Sequence, residues 1–381
     1  MTALKDMGLD ELTEYFVSMG EKPYRARQVF KWLLDGVFSF DEMTDLRKEL
    51  RERLAAQATA RCLAVHDVQV SKLDGTRKYL YRTWDGHFVE AVLMEYYFGY
   101  SICISTQAGC RMGCRFCASG RHGLVRSLTS GEILDQFLLA ERDVRAGLAS
   151  GERVRYVRHT GDDGSLRIGH IVVMGVGEPM DNYENVLRFL HNITDPNGRN
   201  LGRRQITVST CGLIPGMRRF MRDLPQANLS VSLHAPNDEI RQALMPVGAR
   251  YGVDEIVAFA SEYARETGRR FTFEYALFKG INDDAACARE LAGRIAGKGF
   301  HVNLIPGNSV PGLGYEAPSK EVVTRFAEEL MRKGIRTTTR RELGSDILAA
   351  CGQLRSEWME AGEGADERCA PGDAVPEYAE Q

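Results

Sequence analysis

Three cysteines fall within eight residues, Cys110-Arg-Met-Gly-Cys114-Arg-Phe-Cys117, the densest group of metal-capable side chains in the sequence. Thiolates are soft ligands that suit zinc and iron. Structural zinc takes four ligands, commonly as two separated pairs, yet no second CxxC or histidine pair follows this C-x3-C-x2-C run, and His122 stands alone beside it. A 4Fe-4S cluster fits better, because three thiolates hold three irons and leave the fourth open to bind a substrate. Phe116, between two of the ligands, then shields the cluster from water. The chain has nine cysteines, an odd number, and Met1 to Asp10 lacks a signal-peptide core, so a disulfide framework is not expected. Cys62, Cys211, Cys287 and Cys369 are scattered, as small buried or incidental residues are.

A second candidate is the glycine-rich run Gly175-Val-Gly177-Glu178-Pro179. Glycine permits close approach of a ligand to the backbone, and a glutamate there can accept from a ligand's amine. Further polar groups follow apolar segments: Ser209-Thr-Cys-Gly212, Ser232-Leu233-His234-Ala-Pro-Asn237 and Asn303-Leu-Ile-Pro-Gly-Asn308. Taken singly, Ser209, Ser232 and His234 are ordinary hydrogen-bond formers, Glu90 is an exposed strand carboxylate and Cys103 a buried strand thiol. Near the C-terminus stands Gly344-Ser-Asp-Ile-Leu-Ala-Ala-Cys351-Gly-Gln-Leu354. With the cysteine triplet, these motifs resemble those of the radical S-adenosylmethionine enzymes. The whole run from about Glu90 to Leu354 resembles the RlmN and Cfr family of RNA adenine methyltransferases, whose Ala-Ala-Cys-Gly-Gln-Leu element carries a cysteine that becomes methylated.

The resemblance implies a partial (β/α)6 radical SAM barrel and a consumption of two S-adenosylmethionine molecules per turnover. One methylates Cys351; the other yields a 5′-deoxyadenosyl radical that takes hydrogen from the S-methyl group, and the resulting carbon radical adds to adenine. Adenine C2 lies between two electron-withdrawing nitrogens and cannot attack a methyl sulfonium, which explains the radical route. By the same resemblance Glu90 is the general base and Cys103 the thiol that attacks Cys351 in a transient disulfide. Gly177, Glu178, Ser209, Ser232, Leu233, His234 and Asn308 match S-adenosylmethionine contacts, although Gly307 and Ser309 replace the Trp and Pro of many members. Pro179 followed by Met-Asp-Asn182, where Cfr-like proteins carry Ala, favours the RlmN reaction at C2 over methylation at C8. The implied partners are 23S rRNA at the peptidyl transferase centre, tRNA at the adenine 3′ of the anticodon, and an electron donor such as flavodoxin or ferredoxin. Two other readings stand beside this one: a Cfr-like C8 methyltransferase, and a non-catalytic iron-sulfur RNA-binding protein. The second leaves Cys351, Glu90 and the glycine-rich loop unexplained.

These residues need a scaffold, and 381 residues with 44% hydrophobic and 27% charged composition supply a large ordinary core, enough for two or three domains. Residues 1–60 read as a helical N-terminal RNA-binding domain: Leu9, Leu12 and Phe16 at helical spacing, then Arg25 to Leu34, then Phe40 to Leu54. Its Lys22, Arg25, Arg27 and Lys31 interleave with aromatics, a composition suited to phosphate contact and stacking, and equally to a solvated helix face. Residues 61–95 read as a short antiparallel β connector with turns at Asp74-Gly75 and Asp85-Gly86. From 96 to 345 strand and helix patterns alternate, with strands at Ile102 to Ser105, Ile171 to Met174, Ile206 to Ser209, Leu229 to Leu233, Phe271 to Leu277, Val302 to Ile305 and Ile335 to Thr339. Parallel strands with crossover helices follow, hence an α/β barrel or open sheet, with a surface hairpin over Val154 to Ile168. Residues 346–355 form the cysteine segment.

From Ser356 onward eight acidic residues face one arginine, so this tail carries −7 and the body +4 of a net −3. Such a composition reads as a disordered tail. Arg126 and the segment Arg199 to Arg204 are candidate RNA contacts on the basic body. Deleting Ser356 to Gln381 is expected to raise affinity for RNA modestly at low salt, an effect that fades as KCl rises. Filter binding across a salt series checks it. No apolar run approaches the ~20 residues of a membrane span, and the chain is read as a soluble, cytoplasmic, monomeric protein with no membrane partner.

Overall fold

The computed structural model describes residues 1–121, 123–150, 166–308 and 313–349. His122, most of the expected 154–168 hairpin, Ser309, Cys351 and the acidic tail lie outside them. At the N-terminus β1 (Thr2–Ala3) precedes helices α1 (Leu9–Ser18), α2 (Tyr24–Leu34) and α3 (Lys48–Gln57), and pairs in parallel with β2 (Ala58–Thr59) beyond them. The stretch from Phe40 to Leu54, expected as one helix, is divided. Ser39 Oγ accepts from Asp41 N–H while the Glu42 carboxylate accepts from the N–H of Phe38 and Ser39, which confines the first piece to a single turn over Phe40–Glu42. Met43 and Leu46 then enter the core before α3 begins.

Strands β3 (Leu63–Val70), β4 (Arg77–Thr83) and β5 (Phe88–Tyr96) form the expected antiparallel meander, with Gly75 and Gly86 at φ +79° and +84° in its turns. Strand β5 pairs antiparallel with β6 (Gly99–Cys103), so these strands belong to the same ten-stranded sheet as everything downstream. A small hairpin, β7 (Gln107–Gly109) and β8 (Leu124–Ser127), and helix α4 (Ser130–Ala149) follow. The chain then alternates through β9 (Ile168–Val173), α5 (Tyr183–Thr194), β10 (Ile206–Thr210), α6 (Ile214–Asp223), β11 (Asn228–Ser232), α7 (Asp238–Leu244), α8 (Val253–Thr267), β12 (Thr272–Leu277), α9 (Ala285–Ile295), β13 (His301–Pro306), α10 (Lys320–Arg332) and β14 (Arg336–Thr339). Strands β6 and β9 to β14 are parallel and adjacent in chain order. Six βα units and a seventh parallel strand therefore make the partial barrel that the resemblance implies.

Period-two alternation gives this sheet two faces. Val208, Val231, Phe273, Tyr275 and Leu304 join a core that also takes in Leu12, Phe16, Val29 and Phe30 of the N-terminal helices and Phe137 of α4. The opposite face looks into the barrel. Helix α4 ties the pieces together: Asp135 is fully buried and accepts from Lys5 Nζ at 2.6 Å and from the N–H of Cys62 and Leu63 at 2.6 and 3.0 Å. The next residue, Gln136, accepts from Ser105 N–H at 2.8 Å and donates to Ser105 O at 2.9 Å, fixing the chain where β6 ends and the cysteine loop begins.

Candidate functional site

The cysteine triplet forms the tip of the β7–β8 hairpin, at the C-terminal end of the parallel strands where such folds collect their functional loops. Cys110 N–H bonds Gly123 O at 2.9 Å, Cys117 N–H bonds Cys114 O at 3.2 Å, and Arg115 N–H reaches Leu244 O at the end of α7 at 2.9 Å. Gly113 takes φ +66°, which lets the loop reverse between Cys110 and Cys114. Burial pushes the Cys110 thiol up to about 12, with the charges of Glu178 and Cys117 adding to it. Cys114 is raised further by burial and then by Cys117 and Cys110. The three sulfurs thus share one neighbourhood. Among the described residues no three Cys, His, Asp or Glu side chains converge tightly enough to hold one metal ion. Thiolates around a cubane each bind a different iron, and three cysteines on one loop fit a cluster with one iron left open.

Cys110, Cys114, Cys117, Gly177, Glu178, Ser209, Ser232, His234 and Asn308 all line one cavity of about 1020 Å³ that opens to solvent. Glu178 is buried; its carboxylate accepts from Met180 N–H at 3.0 Å and Cys211 N–H at 2.8 Å, while its own N–H donates to Gln107 Oε1 at 2.9 Å. Burial raises its pKa against these hydrogen bonds, which favour the anion. The Thr210 hydroxyl and the Cys211 thiol also donate to this carboxylate. Both glycines line the cavity, and both also pack closely on the preceding chain. A Cβ at Gly175 would meet Ile104 C and O at 2.7 Å, and one at Gly177, φ +107°, would meet Gln107 Cβ at 2.6 Å. They let this loop pack on the chain just before the cysteines.

His234, at φ +56°, accepts from Ala276 N–H through Nδ1 at 2.9 Å, which leaves its proton on Nε2. Burial and the neighbouring Arg241 cation hold its pKa down to about 3, so the ring is neutral. Phe116 packs edge-on against this ring at 5.1 Å and against Phe278 at 5.0 Å, consistent with an apolar wall beside the thiols. Leu233 is the exception among the matched contacts: its side chain lies in the core away from the cavity, and only its backbone is near. Gly307 has no room for any side chain, since a Cβ would meet Leu277 O at 2.5 Å and the Phe278 ring at 2.7 Å.

Glu90 and Cys103 do not line the cavity; they sit beside it on the barrel's interior face. Cys103 pairs in register with Val92, and Glu90 lies two residues before Val92, hence on the same face of β5. Glu90 is buried, not exposed as a lone strand carboxylate is expected to be, and its carbonyl accepts from Ser105 Oγ at 2.6 Å. Met174 packs against the apolar cluster of Val92, Met94, Cys103, Val176 and Ala349 and also lines the cavity, so it joins the two regions.

Several residues that sequence reading passed over hold this site. Arg241 is fully buried and donates to Ser232 O at 2.9 Å, Leu233 O at 2.8 Å and Cys211 O at 2.6 Å, binding the ends of β10 and β11 together. Asn182 donates to Thr106 O and Leu128 O, both at 2.8 Å. Glu274 lines the cavity, buried, with Asn303 Nδ2 at 2.7 Å; an acid in the middle of the apolar run Phe271 to Leu277 was a signal available in the sequence. Two candidate RNA contacts are reassigned. Arg126 binds Asp85 at 2.5 and 2.9 Å and Glu132 at 2.8 and 2.7 Å, and Arg199 is buried against Glu141. Arg203 and Arg204 remain exposed.

Comparison with known proteins gives the same picture. The family model described as "Ribosomal RNA large subunit methyltransferase N-terminal domain" matches residues 2–60, and that of the "Radical SAM superfamily" matches residues 104–289. A probable dual-specificity RNA methyltransferase RlmN of Lachnospira eligens is 44% identical over 361 residues, covering 94% of this chain and 97% of that protein. The one from Symbiobacterium thermophilum is 46% identical over 355 residues, covering 93% and 91%. A crystal structure of a radical SAM methyltransferase from Sphaerobacter thermophilus superposes with a TM-score of 0.86 at 43% identity, covering 94% of this chain and all of that one. The cysteine hairpin, the cavity behind it and the similarity along nearly the whole chain lead to one assignment: the chain belongs to the RlmN family of dual-specificity RNA methyltransferases, within the radical SAM superfamily.

Proposed function

We propose that the protein methylates C2 of adenine in 23S rRNA and in tRNA, using Cys351 as methyl carrier. The observation that carries this reading is the convergence of Cys110, Cys114, Cys117, Glu178, Ser209, Ser232, His234 and Asn308 on one cavity, with Cys103 and Glu90 on the adjoining interior face. Cys110, Cys114 and Cys117 hold the 4Fe-4S cluster, which when bound supplies the electron that cleaves the sulfonium of S-adenosylmethionine. Glu178 accepts from the ligand's amine; Ser209, Ser232 and Asn308 present hydroxyl and amide groups to its remaining polar atoms. His234, neutral and with its proton on Nε2, donates without adding a charge beside the thiolates. Phe116 and Phe278 exclude water from that side.

On the adjoining face the buried Glu90 carboxylate takes the C2 proton as general base. Once the adduct has given up its C2 proton and, to the oxidised cluster, its unpaired electron, the Cys103 thiolate attacks the Cys351 sulfur: an S–S bond forms, the sulfur–carbon bond breaks, and its electron pair passes to the methylene carbon, which takes a proton to become the methyl group. Two measurements test the function. Reduced, anaerobically reconstituted protein makes 5′-deoxyadenosine from S-adenosylmethionine, which a pure RNA binder does not. Mass spectrometry of RNA from cells lacking the gene shows loss of 2-methyladenine; loss of an 8-methyl group instead overturns the C2 assignment.

RNA binding falls to exposed cations. Lys22, just before α2, and Tyr24, Arg27 and Lys31 on it are exposed while Val29, Phe30 and Leu33 face the core, which gives that helix a basic, aromatic outer face. Arg126→Ala is expected to act on stability alone. It breaks a mostly buried pair with Glu132 and costs roughly 3 kcal/mol, whereas the salt dependence of RNA affinity stays unchanged. Urea unfolding and a KCl titration of binding check both halves.

A further inference from the structure

Glu274 stands in the middle of β12, in register with Ser232 of β11 on one side and Asn303 of β13 on the other. The strand's period of two turns its side chain into the barrel, where it lines the cavity although it is only 4% exposed. Asn303 Nδ2 donates to Glu274 Oε2 at 2.7 Å, and Asn303 Oδ1 accepts from Thr338 Oγ1 at 3.0 Å, so a bonded chain across β12, β13 and β14 fixes the carboxylate. Among the described residues no hydrogen bond reaches Oε1. Burial raises the pKa of the group, while the Arg340 cation and the Asn303 amide favour its anion. A buried carboxylate oxygen left without a donor is costly. The donor has to come from what fills the cavity.

Two ligands enter this cavity under the function proposed above, S-adenosylmethionine and the adenine to be methylated. None of the residues matched to S-adenosylmethionine lies on β12. Glu274 belongs instead to the flank that leads toward Cys103: Arg340, whose cation acts on Glu274, reaches Met174 Sδ through Nη1 at 3.8 Å, and Met174 packs in the cluster of Cys103 and Val92. We propose that Glu274 reads the target base, its Oε1 accepting from the exocyclic 6-amino group of adenine while Asn303 sets its orientation. This rests on the reading of the protein as an adenine C2 methyltransferase. An ionised carboxylate only accepts hydrogen bonds. Adenine presents a donor at C6 where guanine presents an acceptor oxygen, so the same contact favours one purine and repels the other.

The test uses the full chain with its cluster, left unreduced so that no turnover occurs, and two anticodon stem-loop RNAs that differ only at the target. One carries adenine there; the other carries unsubstituted purine, which lacks the 6-amino group. Fluorescence anisotropy gives the Kd of each. The wild type should bind the adenine RNA about tenfold more tightly than the purine RNA. In Glu274→Ala the two should bind alike, through a loss on adenine alone. In Glu274→Gln, Asn303 Nδ2 still requires an acceptor, so the amide oxygen turns to Asn303 and the amide NH2 meets the base's amine, donor against donor. The preference should then reverse, with purine bound more tightly than adenine. A merely structural role lowers both affinities together and cannot reverse their order. Iron per chain and the affinity for S-adenosylmethionine are measured on the same preparations and should hold. If the wild type shows no preference, if the variants keep the wild-type preference, or if affinity for S-adenosylmethionine falls while the preference stays, Glu274 does not read the base and the proposal is overturned. Methylation of the adenine RNA by the reduced wild type separates the two readings: if it occurs, such a result leaves the methyltransferase reading standing, and if it does not, that reading fails and the proposal falls with it.

Discussion

Replacing Cys114 by alanine is expected to abolish iron incorporation and methylation together. Its thiol sits between the other two in the loop, is raised by burial and by both of them, and faces the common cavity. Binding iron must displace the protons that burial favours, and it is the shared bonding to three sulfurs that offsets this cost. Two thiolates cannot hold a cubane in register with one open iron, so Cys110→Ala and Cys117→Ala should fail in the same way. The informative control is Cys211, a fourth buried thiol that lines the same cavity. Cys211 supports Glu178 through its backbone N–H as well as its thiol, and alanine keeps the backbone bond, so Cys211→Ala should keep iron. Iron per chain and the visible absorption of the reconstituted protein decide it. If Cys211→Ala loses iron as completely as Cys114→Ala, or if iron-free protein purified in air methylates RNA fully, the donor set is wrong.

The contrast between Cys114 and Cys211 shows what a sequence can and cannot display. Ligands on one short loop are legible because their spacing is their geometry; the C-x3-C-x2-C run needs no tertiary information to be recognised. The seven parallel strands were legible for a similar reason, since each is a short apolar run between helical patterns, and all appear within a few residues of expectation. Arg241 was not legible. Its partners are carbonyls of Ser232, Leu233 and Cys211, and any residue has a carbonyl, so no partner type in the sequence marks them. Arg126 was misread for the complementary reason: a lone arginine beside a metal loop resembles an RNA contact until the fold brings Asp85, 41 residues upstream, against it. The helix expected over Phe40 to Leu54 failed locally, because Ser39 and Glu42 offer the backbone side-chain partners that periodicity does not register. Burial of Glu90 was invisible too, as its strand looks amphipathic, yet one face meets the core and the other the barrel interior.

Cys103→Ala is expected to stop the reaction with RNA still attached to protein. Cys351 remains able to accept a methyl group and carry it to adenine, since Cys103 lies on β6 beside the cavity and takes no part in lining it. What the variant lacks is a second sulfur to attack Cys351, so the sulfur–carbon bond persists. Cys351→Ala should do the reverse and form no adduct, because no sulfur carries the methylene. The double variant should match Cys351→Ala, which places Cys103 after Cys351 in the sequence of events. Glu90→Gln separates proton removal from sulfur exchange: an amide cannot accept the C2 proton, and loss of a general base slows its step by roughly 10²- to 10⁴-fold. Adduct should therefore accumulate in Glu90→Gln as well, but with Cys103 still present and able to release it slowly. Denaturing gels of labelled RNA after anaerobic turnover separate the two adduct-forming variants from the two that form none, and a time course separates Cys103→Ala from the slowly releasing Glu90→Gln. Free methylated RNA from Cys103→Ala at the wild-type rate would falsify the release mechanism. Normal turnover by Glu90→Gln would reassign the base to another group on the interior face while leaving both cysteines in their roles, because the side chains proposed for proton removal and sulfur exchange lie on different strands, β5 and β6.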